Sequence, residues 1–244
     1  MKTMTSKLIA MLVVLSVALV IYVAFFSRVT PPDFSQYPAG PERKAAFFSY
    51  FAPIVTDLNQ EIQSDRTEIQ STCSTERNAD DALKAFEEKY RIDEKDLQGT
   101  SLCEVLLRRA DIIPASLALA QAANESAWGT SRFAQQGNNF FGQWCFKKGC
   151  GIVPNDRNDG AVHEVADFRS PSDSVKSYMM NLNAHDAYRE LRQIRASLRN
   201  KNAEITGLPL TRGLNSYSER GAEYGKELRN MIEYNDLTRY DTAQ

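Results

Sequence analysis

Ile112-Ile-Pro114-Ala-Ser-Leu-Ala-Leu-Ala-Gln121-Ala-Ala-Asn124-Glu125-Ser-Ala-Trp128-Gly129 is the stretch whose reading decides the fold. Proline is well placed in a first helical turn, where its missing N–H bonds to nothing in any case. From Ala115 to Trp128 no residue breaks a helix, and Gly129 is a natural C-terminal stop. Glu125 therefore sits in the last turn of a helix whose other members are mostly small and apolar. The negative end of the helix dipole and apolar neighbours both disfavour an ionised carboxyl there. A general acid working near neutrality needs that bias. The alanines leave room beside Glu125 for a bulky substrate. Trp128 is placed to cover a sugar ring or to shield the carboxyl from water.

Downstream, Asn138-Asn139-Phe140-Phe141-Gly142-Gln143-Trp144 is aromatic and glycine-bearing, which predicts irregular backbone over 138–149. Aromatic faces stack on sugars and amides bond to hydroxyl and acetamido groups, although aromatics more often fill cores. Turn formers between Gly151 and Phe168, with a short run from His163, predict a small β-hairpin lobe. Ser170-Pro171-Ser-Asp173 has the layout of a helix start. Val175, Tyr178, Met179 and Leu182 continue it at helical spacing. Further helices are predicted around Tyr188 to Leu198 and Tyr224 to Ile232. Upstream, Phe47, Phe48, Phe51, Ile54, Val55, Leu58 and Ile62 mark an amphipathic helix from Glu42 to about Gln70, with a kink expected at Pro53. Helices at Asp80 to Tyr90 and Leu102 to Arg109 follow. The predicted class is mainly α, with one small β element.

The ends and the composition bound the rest. Leu8 to Phe26 is free of charge and about the length that crosses a hydrocarbon core. Lys2 and Lys7 precede it, so the N-terminus is expected in the cytoplasm and everything after Arg28 outside. Bulky Phe25 and Phe26 stand where a signal peptidase would need small residues, which favours an uncleaved anchor. Val29 to Pro41 carries four prolines and reads as a stiff spacer. The expected organisation is an anchor (1–28), a linker (29–41), a helical extension (42–100) and a catalytic domain (101–244). The four cysteines fit an oxidising compartment. Gly149 permits the tight return of a Cys145–Cys150 disulfide, leaving Cys73 with Cys103. Zinc on Cys145, Cys150 and His163 is disfavoured by the spacing, and no cofactor is called for. A net charge of −2 with no long basic run argues against nucleic-acid binding. Arg189, Arg192, Arg195 and Arg199 recur at helical spacing. Their plain reading is a solvated face; the alternative is a polyanion-binding surface.

Three segments carry a resemblance. Ala120 to Ala134 is similar to the catalytic-helix motif of the glucosaminidase superfamily of bacterial peptidoglycan hydrolases. Asn138-Asn-Phe-Phe-Gly142 and Phe168-Arg-Ser-Pro-Ser-Asp-Ser174 resemble the segments that follow it there. The likeness spans roughly Glu104 to Tyr234, and a Bax-like branch carries it back to Phe47–Leu58. It implies a lysozyme-like α+β fold and cleavage of the β-1,4 bond after N-acetylglucosamine in peptidoglycan. It also implies Glu125 as the acid, acting outside the inner membrane on glycan strands. A late family motif, Y-A-T-D-P-x-Y, maps onto Tyr217-Ser-Glu-Arg-Gly-Ala-Glu-Tyr224, one residue longer. The implied catalytic tyrosine falls on Tyr217, with Tyr224 beside the substrate. Trp128, Asn139, Phe140, Phe141 and Trp144 complete the expected binding set.

A glycosidase normally uses two carboxyls. The family's second glutamate lies in a longer hairpin than this chain has. Asp156, Asp159, Glu164 and Asp167 are the candidates, Glu164 foremost because it precedes a strand. Attack by the substrate's own acetamido group would need none of them. A lytic transglycosylase and a non-catalytic wall-binding scaffold are the competing readings.

Overall fold

The computed structural model describes Met11 and residues 28–75, 79–155, 157, 160 and 162–243. The expected anchor, Met11 aside, lies outside these residues, as do Asp156 and Asp159. Among the described residues no helix is long and apolar enough to cross a membrane. The helices are α1 (Pro41–Thr75), α2 (Ala79–Lys89), α3 (Leu102–Arg109), α4 (Ala115–Glu125), α5 (Arg132–Gly137), α6 (Pro171–Ala184), α7 (Arg189–Asn200), α8 (Gly207–Leu210) and α9 (Ala222–Tyr234). The strands are β1 (Trp144–Cys145), β2 (Gly151–Ile152) and β3 (Glu164–Ala166). The mainly helical expectation holds, and α1 runs straight through Pro53 as one element.

Helix α4 is the hub. Ala115 to Ala123 are all buried, and α1, α8, α9 and the last turn of the chain pack around them. Small side chains let those neighbours come close: a Cβ at Gly207 would lie 2.3 Å from Ser116 Oγ. Buried polar pairs fix the register. Asn59 of α1 donates to the Ile113 carbonyl at 2.8 Å and accepts from its N–H at 3.0 Å. Asp241 accepts from the N–H and hydroxyl of Ser116. The helix stops at Glu125 rather than at Trp128. Ala127, Trp128 and Gly129 all take positive φ (50°, 60° and 78°). Left-handed backbone at two non-glycine residues costs of order 1 kcal/mol each. Ser126 offsets it by donating to the Ala122 carbonyl and accepting from the Gly129 N–H. This tight return starts α5 directly beside the end of α4.

Residues 29–41 are not a free spacer. Phe34 is buried in the main core against Phe47 and Phe51. Its ring fills the space beside Gly129, where a Cβ would come within 2.3 Å. Val29 pairs with the Arg169 carbonyl through its N–H and with the Asn138 amide through its carbonyl. Arg28 forms an ion pair with Asp167 at 2.8 Å. Apolar burial of one phenylalanine thus outweighs the extended preference of the prolines on either side.

The small lobe is a three-stranded sheet rather than a hairpin. Central β3 is antiparallel to both neighbours, with Trp144 opposite Val165 and Gly151 opposite Ala166. β1 and β2 are therefore parallel, so the chain between them must cross β3. The Cys145–Cys150 disulfide closes that crossover, and the Cys73–Cys103 disulfide pins the end of α1 to α3. The Ser170 hydroxyl caps α6 as its sequence predicts.

The arginine row on α7 is not a solvated face. Arg192 and Arg195 are buried. Arg195 donates to the Asp111 and Ile112 carbonyls and to Asn183 Oδ1. The Asp111 carboxylate takes two bonds from Arg199 and lies 3.7 Å from both Arg195 and Arg66. Burial works against its charge, but these three guanidiniums still hold the carboxyl below the usual range.

Candidate active site

A directed chain of hydrogen bonds ends on Glu125. The Tyr178 hydroxyl donates to Gln121 Oε1 at 2.7 Å. Gln121 Nε2 donates to the Tyr224 hydroxyl at 3.0 Å, and that hydroxyl donates to Glu125 Oε1 at 2.7 Å. Gln121 is fully buried, one turn before Glu125 on α4. Its amide has fixed donor and acceptor ends, so it sets the direction of the whole chain. Burial first, then the proximity of Tyr188 and Glu125, pushes the Tyr178 hydroxyl well above its usual range. Burial, Tyr217 and Glu125 do the same to Tyr224. Both phenols therefore remain donors throughout the physiological range. Asn124 Nδ2 adds a bond to Glu125 Oε1 at 3.2 Å. Glu125 accordingly sits among a hydroxyl and amides rather than in the apolar cradle that its helix predicts.

One oxygen of Glu125 is held and the other is not. Among the described residues no donor reaches Oε2, which lies near Gly142: a Cβ there would be 3.9 Å away. Gly142 is exposed with φ +63°, so the backbone passes beside Oε2 without a side chain in between. Glu125 is half-buried, so Oε2 is the oxygen left without a bond among the described residues.

Tyr224, not Tyr217, bonds to Glu125. The Tyr217 hydroxyl donates to the Phe141 carbonyl at 3.0 Å, and its ring stacks on Tyr224 at 5.3 Å. Burial, then Tyr178 and Glu125, raises the Tyr217 hydroxyl too. Tyr217 thereby holds the 138–143 loop that forms the wall beside Glu125.

Most of the expected sugar platform is that wall rather than its surface. Asn139 is buried and ties the loop to β3, donating to the Gln143 and Ala166 carbonyls. Phe140 packs on Phe51 in the core, and Phe141 stacks on Tyr178 at 3.9 Å. Trp128 meets Phe47 and Phe48 edge-on, with Lys44 Nζ 5.0 Å above its ring. Its left-handed backbone sends the indole onto α1. Trp144 differs: it is 58% exposed and stacks on His163 at 4.3 Å. It lines a cavity of about 460 Å³ with Arg132, Phe133, Arg157 and Val165.

Glu164 is occupied. Its two oxygens accept from the N–H groups of Gly149 (3.0 Å) and Gly151 (2.9 Å). These bonds hold its carboxyl below the usual range. It braces the crossover on the face it shares with Cys145 and Cys150. Their sulfurs are joined to each other, which leaves no thiolate for a metal. Asp167 is taken by Arg28. Sequence inspection misses Gln121 and Tyr178. Gln121 is signalled only by its i, i+4 relation to Glu125, and Tyr178 by nothing beyond its place in an apolar row.

Residues 102–237, more than half of the chain, match a family model named Glucosaminidase and described as mannosyl-glycoprotein endo-β-N-acetylglucosaminidase. The chain belongs to the glucosaminidase family. Its Bax-like character is equally plain: it is 35% identical over 209 residues to Protein bax of Escherichia coli (strain K12), covering 84% of this chain and 74% of that one. The catalytic domain of the autolysin Auto from Listeria monocytogenes is a structural neighbour with a TM-score of 0.47 and 18% identity, covering 85% of this chain and 92% of that one. As a glucosaminidase the protein is a glycoside hydrolase-type enzyme. The matched span takes in Gln121, Glu125, Tyr178 and Tyr224 together.

Proposed function

We propose that the protein hydrolyses the β-1,4 bond after N-acetylglucosamine in peptidoglycan, with Glu125 as general acid. The observation that carries this is the asymmetry of half-buried Glu125, whose Oε1 is fixed by Tyr224 while Oε2, near Gly142, takes no bond from the described residues. An acid must be both held and accessible. Oε2 delivers the proton to the leaving glycosidic oxygen, and exposed Trp144, two residues beyond Gly142, offers a face for a sugar ring. Family membership supports the substrate class and, with it, the lysozyme-like architecture.

The electrons at the anomeric carbon come from the substrate in this reading. Glu164 spends both oxygens on backbone amides, and Asp167 is paired. The carbonyl oxygen of the 2-acetamido group attacks the anomeric carbon as the leaving oxygen takes the proton from Glu125. Water then opens the resulting ring and returns a proton to Glu125, giving a retained configuration. Glu125→Gln should cut the release of new reducing ends from purified peptidoglycan by about 10²- to 10⁴-fold while leaving the protein folded. Wild-type release by that variant refutes the assignment. Engagement of both described candidates, Glu164 and Asp167, also suits a lytic transglycosylase. Mass spectrometry separates the two, because anhydro-sugar ends would replace reducing ends. We further propose that residues 8–26 anchor the protein in the inner membrane with the catalytic domain in the periplasm; release from membranes by alkaline carbonate would overturn this.

A further inference from the structure

The four arginines of the row on α7 fall into three different situations. Arg195 and Arg199 bind Asp111, and Arg189 pairs with Asp186 at 3.3 Å. Arg192 is 3% exposed, yet among the described residues no carboxylate lies within salt-bridge reach of it. Its Nη1 donates to the carbonyls of Leu182 (3.0 Å) and His185 (2.8 Å). Nε and Nη2 bond to no described group. Neither is among the buried polar atoms sealed off without a partner, and Arg192 lines a cavity.

That cavity, of about 270 Å³, lies between α7, α3 and the turn Glu94–Leu97. Lys95, Arg108, Arg109 and Arg189 share its wall with Arg192, against a single carboxylate, Asp96. Asp96 is already bound to Arg109 at 2.6 Å. Arg108 pairs with Glu104, and Lys95 with Asp93, both outside the cavity lining. Asp186 acts on Arg192 only from beyond salt-bridge reach, so Arg192 is the cation of this lining that no described carboxylate binds directly. Burial first, then the nearby Arg109 and Arg195, pushes the Arg192 guanidinium down to about 10, still charged at neutral pH. A buried cation normally has an anionic partner.

We infer that this cavity is an anion site in which the Nε–Nη2 edge of Arg192 grips two oxygens of a phosphate group, with Arg108 and Arg189 closing over it. The free edge of a guanidinium matches two oxygens of one anion in a plane. The surrounding cations favour a doubly charged group over a simple carboxylate. The bound group bridges the turn Glu94–Leu97 and α3 to helix α7.

The test is titration of the full-length protein in detergent with inorganic phosphate, with glycerol 3-phosphate and with acetate. Calorimetry and thermal unfolding are read at constant ionic strength set by chloride. Saturable binding of phosphate or the monoester, with a rise in Tm, is expected, and acetate should bind at least tenfold more weakly. Preference between the two phosphates tells a free ion from an esterified one. Arg192→Lys keeps the charge but loses the fork and should weaken phosphate binding about tenfold. Arg108→Gln, whose exposed pair with Glu104 contributes little to folding, should weaken it several-fold. An absence of saturable binding, or affinity unchanged in both variants, overturns the site. Equal binding of acetate overturns the phosphate assignment.

Discussion

Tyr224→Phe isolates the hydroxyl that holds Glu125. The ring stays, so its stack on Tyr217 at 5.3 Å is kept. Two hydrogen bonds go, one to Glu125 Oε1 and one from Gln121 Nε2. Gln121 is fully buried, and its Nε2 has no second partner among the described residues. An unsatisfied buried donor costs about 1–3 kcal/mol, and the lost bond to a carboxyl oxygen adds about 1 kcal/mol. The sum, about 2–4 kcal/mol, should lower Tm by roughly 4–16 °C in a domain of this size. Freed on one side, the Glu125 carboxyl can rotate away from the scissile oxygen. Misplacement of that kind costs about 10²-fold in rate. Reducing-end release from peptidoglycan, with Tm measured on the same preparation, reads both effects. A positioning role further requires that Glu125→Gln/Tyr224→Phe be no slower than Glu125→Gln alone. Wild-type turnover in Tyr224→Phe, or additive losses in the double variant, would refute the chain of bonds as the device that positions the acid.

Two other expectations follow from the same geometry. Glu164 has a depressed folded-state pKa, so its contribution is complete above the ordinary value of 4.5 and is lost as pH falls below it. Wild-type Tm should therefore drop through that acid range, whereas Glu164→Gln should start lower and stay flatter. At neutral pH the variant should keep more than about a tenth of the wild-type rate, since a true second catalytic group would cost about 10²-fold or more. Gly129→Ala places a Cβ 2.3 Å from Phe34 and forces alanine to φ +78°. Strain and overpacking together should cost about 2–4 kcal/mol. Limited proteolysis should then cut near residues 30–37, and an unchanged digestion pattern would count against Phe34 as the strap.

Much of the helical layout was legible in the chain because its signals are local. Ser170-Pro171 starts α6, the apolar spacing of Phe47 to Ile62 gives α1, and Pro114 opens α4. Glu125 could be picked out for the same reason, as a lone acid at the end of an alanine-rich helix. The Cys145–Cys150 pair followed from five residues and a glycine. What misled was local as well. Nothing between Ala123 and Gly129 announces left-handed backbone at Ala127 and Trp128, because the Ser126 hydroxyl makes that return affordable. Prolines around Phe34 advertise an extended spacer, while its burial depends on a gap beside Gly129, far away in sequence.

From the sequence alone came most of the helices, the family and Glu125 as the proposed acid. Tertiary structure decided which groups serve that acid. The family motif points to Tyr217 as the catalytic tyrosine, yet the packing of α9 against α4 puts the Tyr224 hydroxyl on Glu125, while Tyr217, ahead of α9, bonds to the Phe141 carbonyl. Glu164 looked available until the crossover over β3 brought two backbone amides to its oxygens. The arginine row had the periodicity of a solvated face, yet a charge is solvated or buried according to what packs over it. Hydrogen bonds and counter-charges are made between residues distant in sequence, so their partners exist only once the chain has closed on itself.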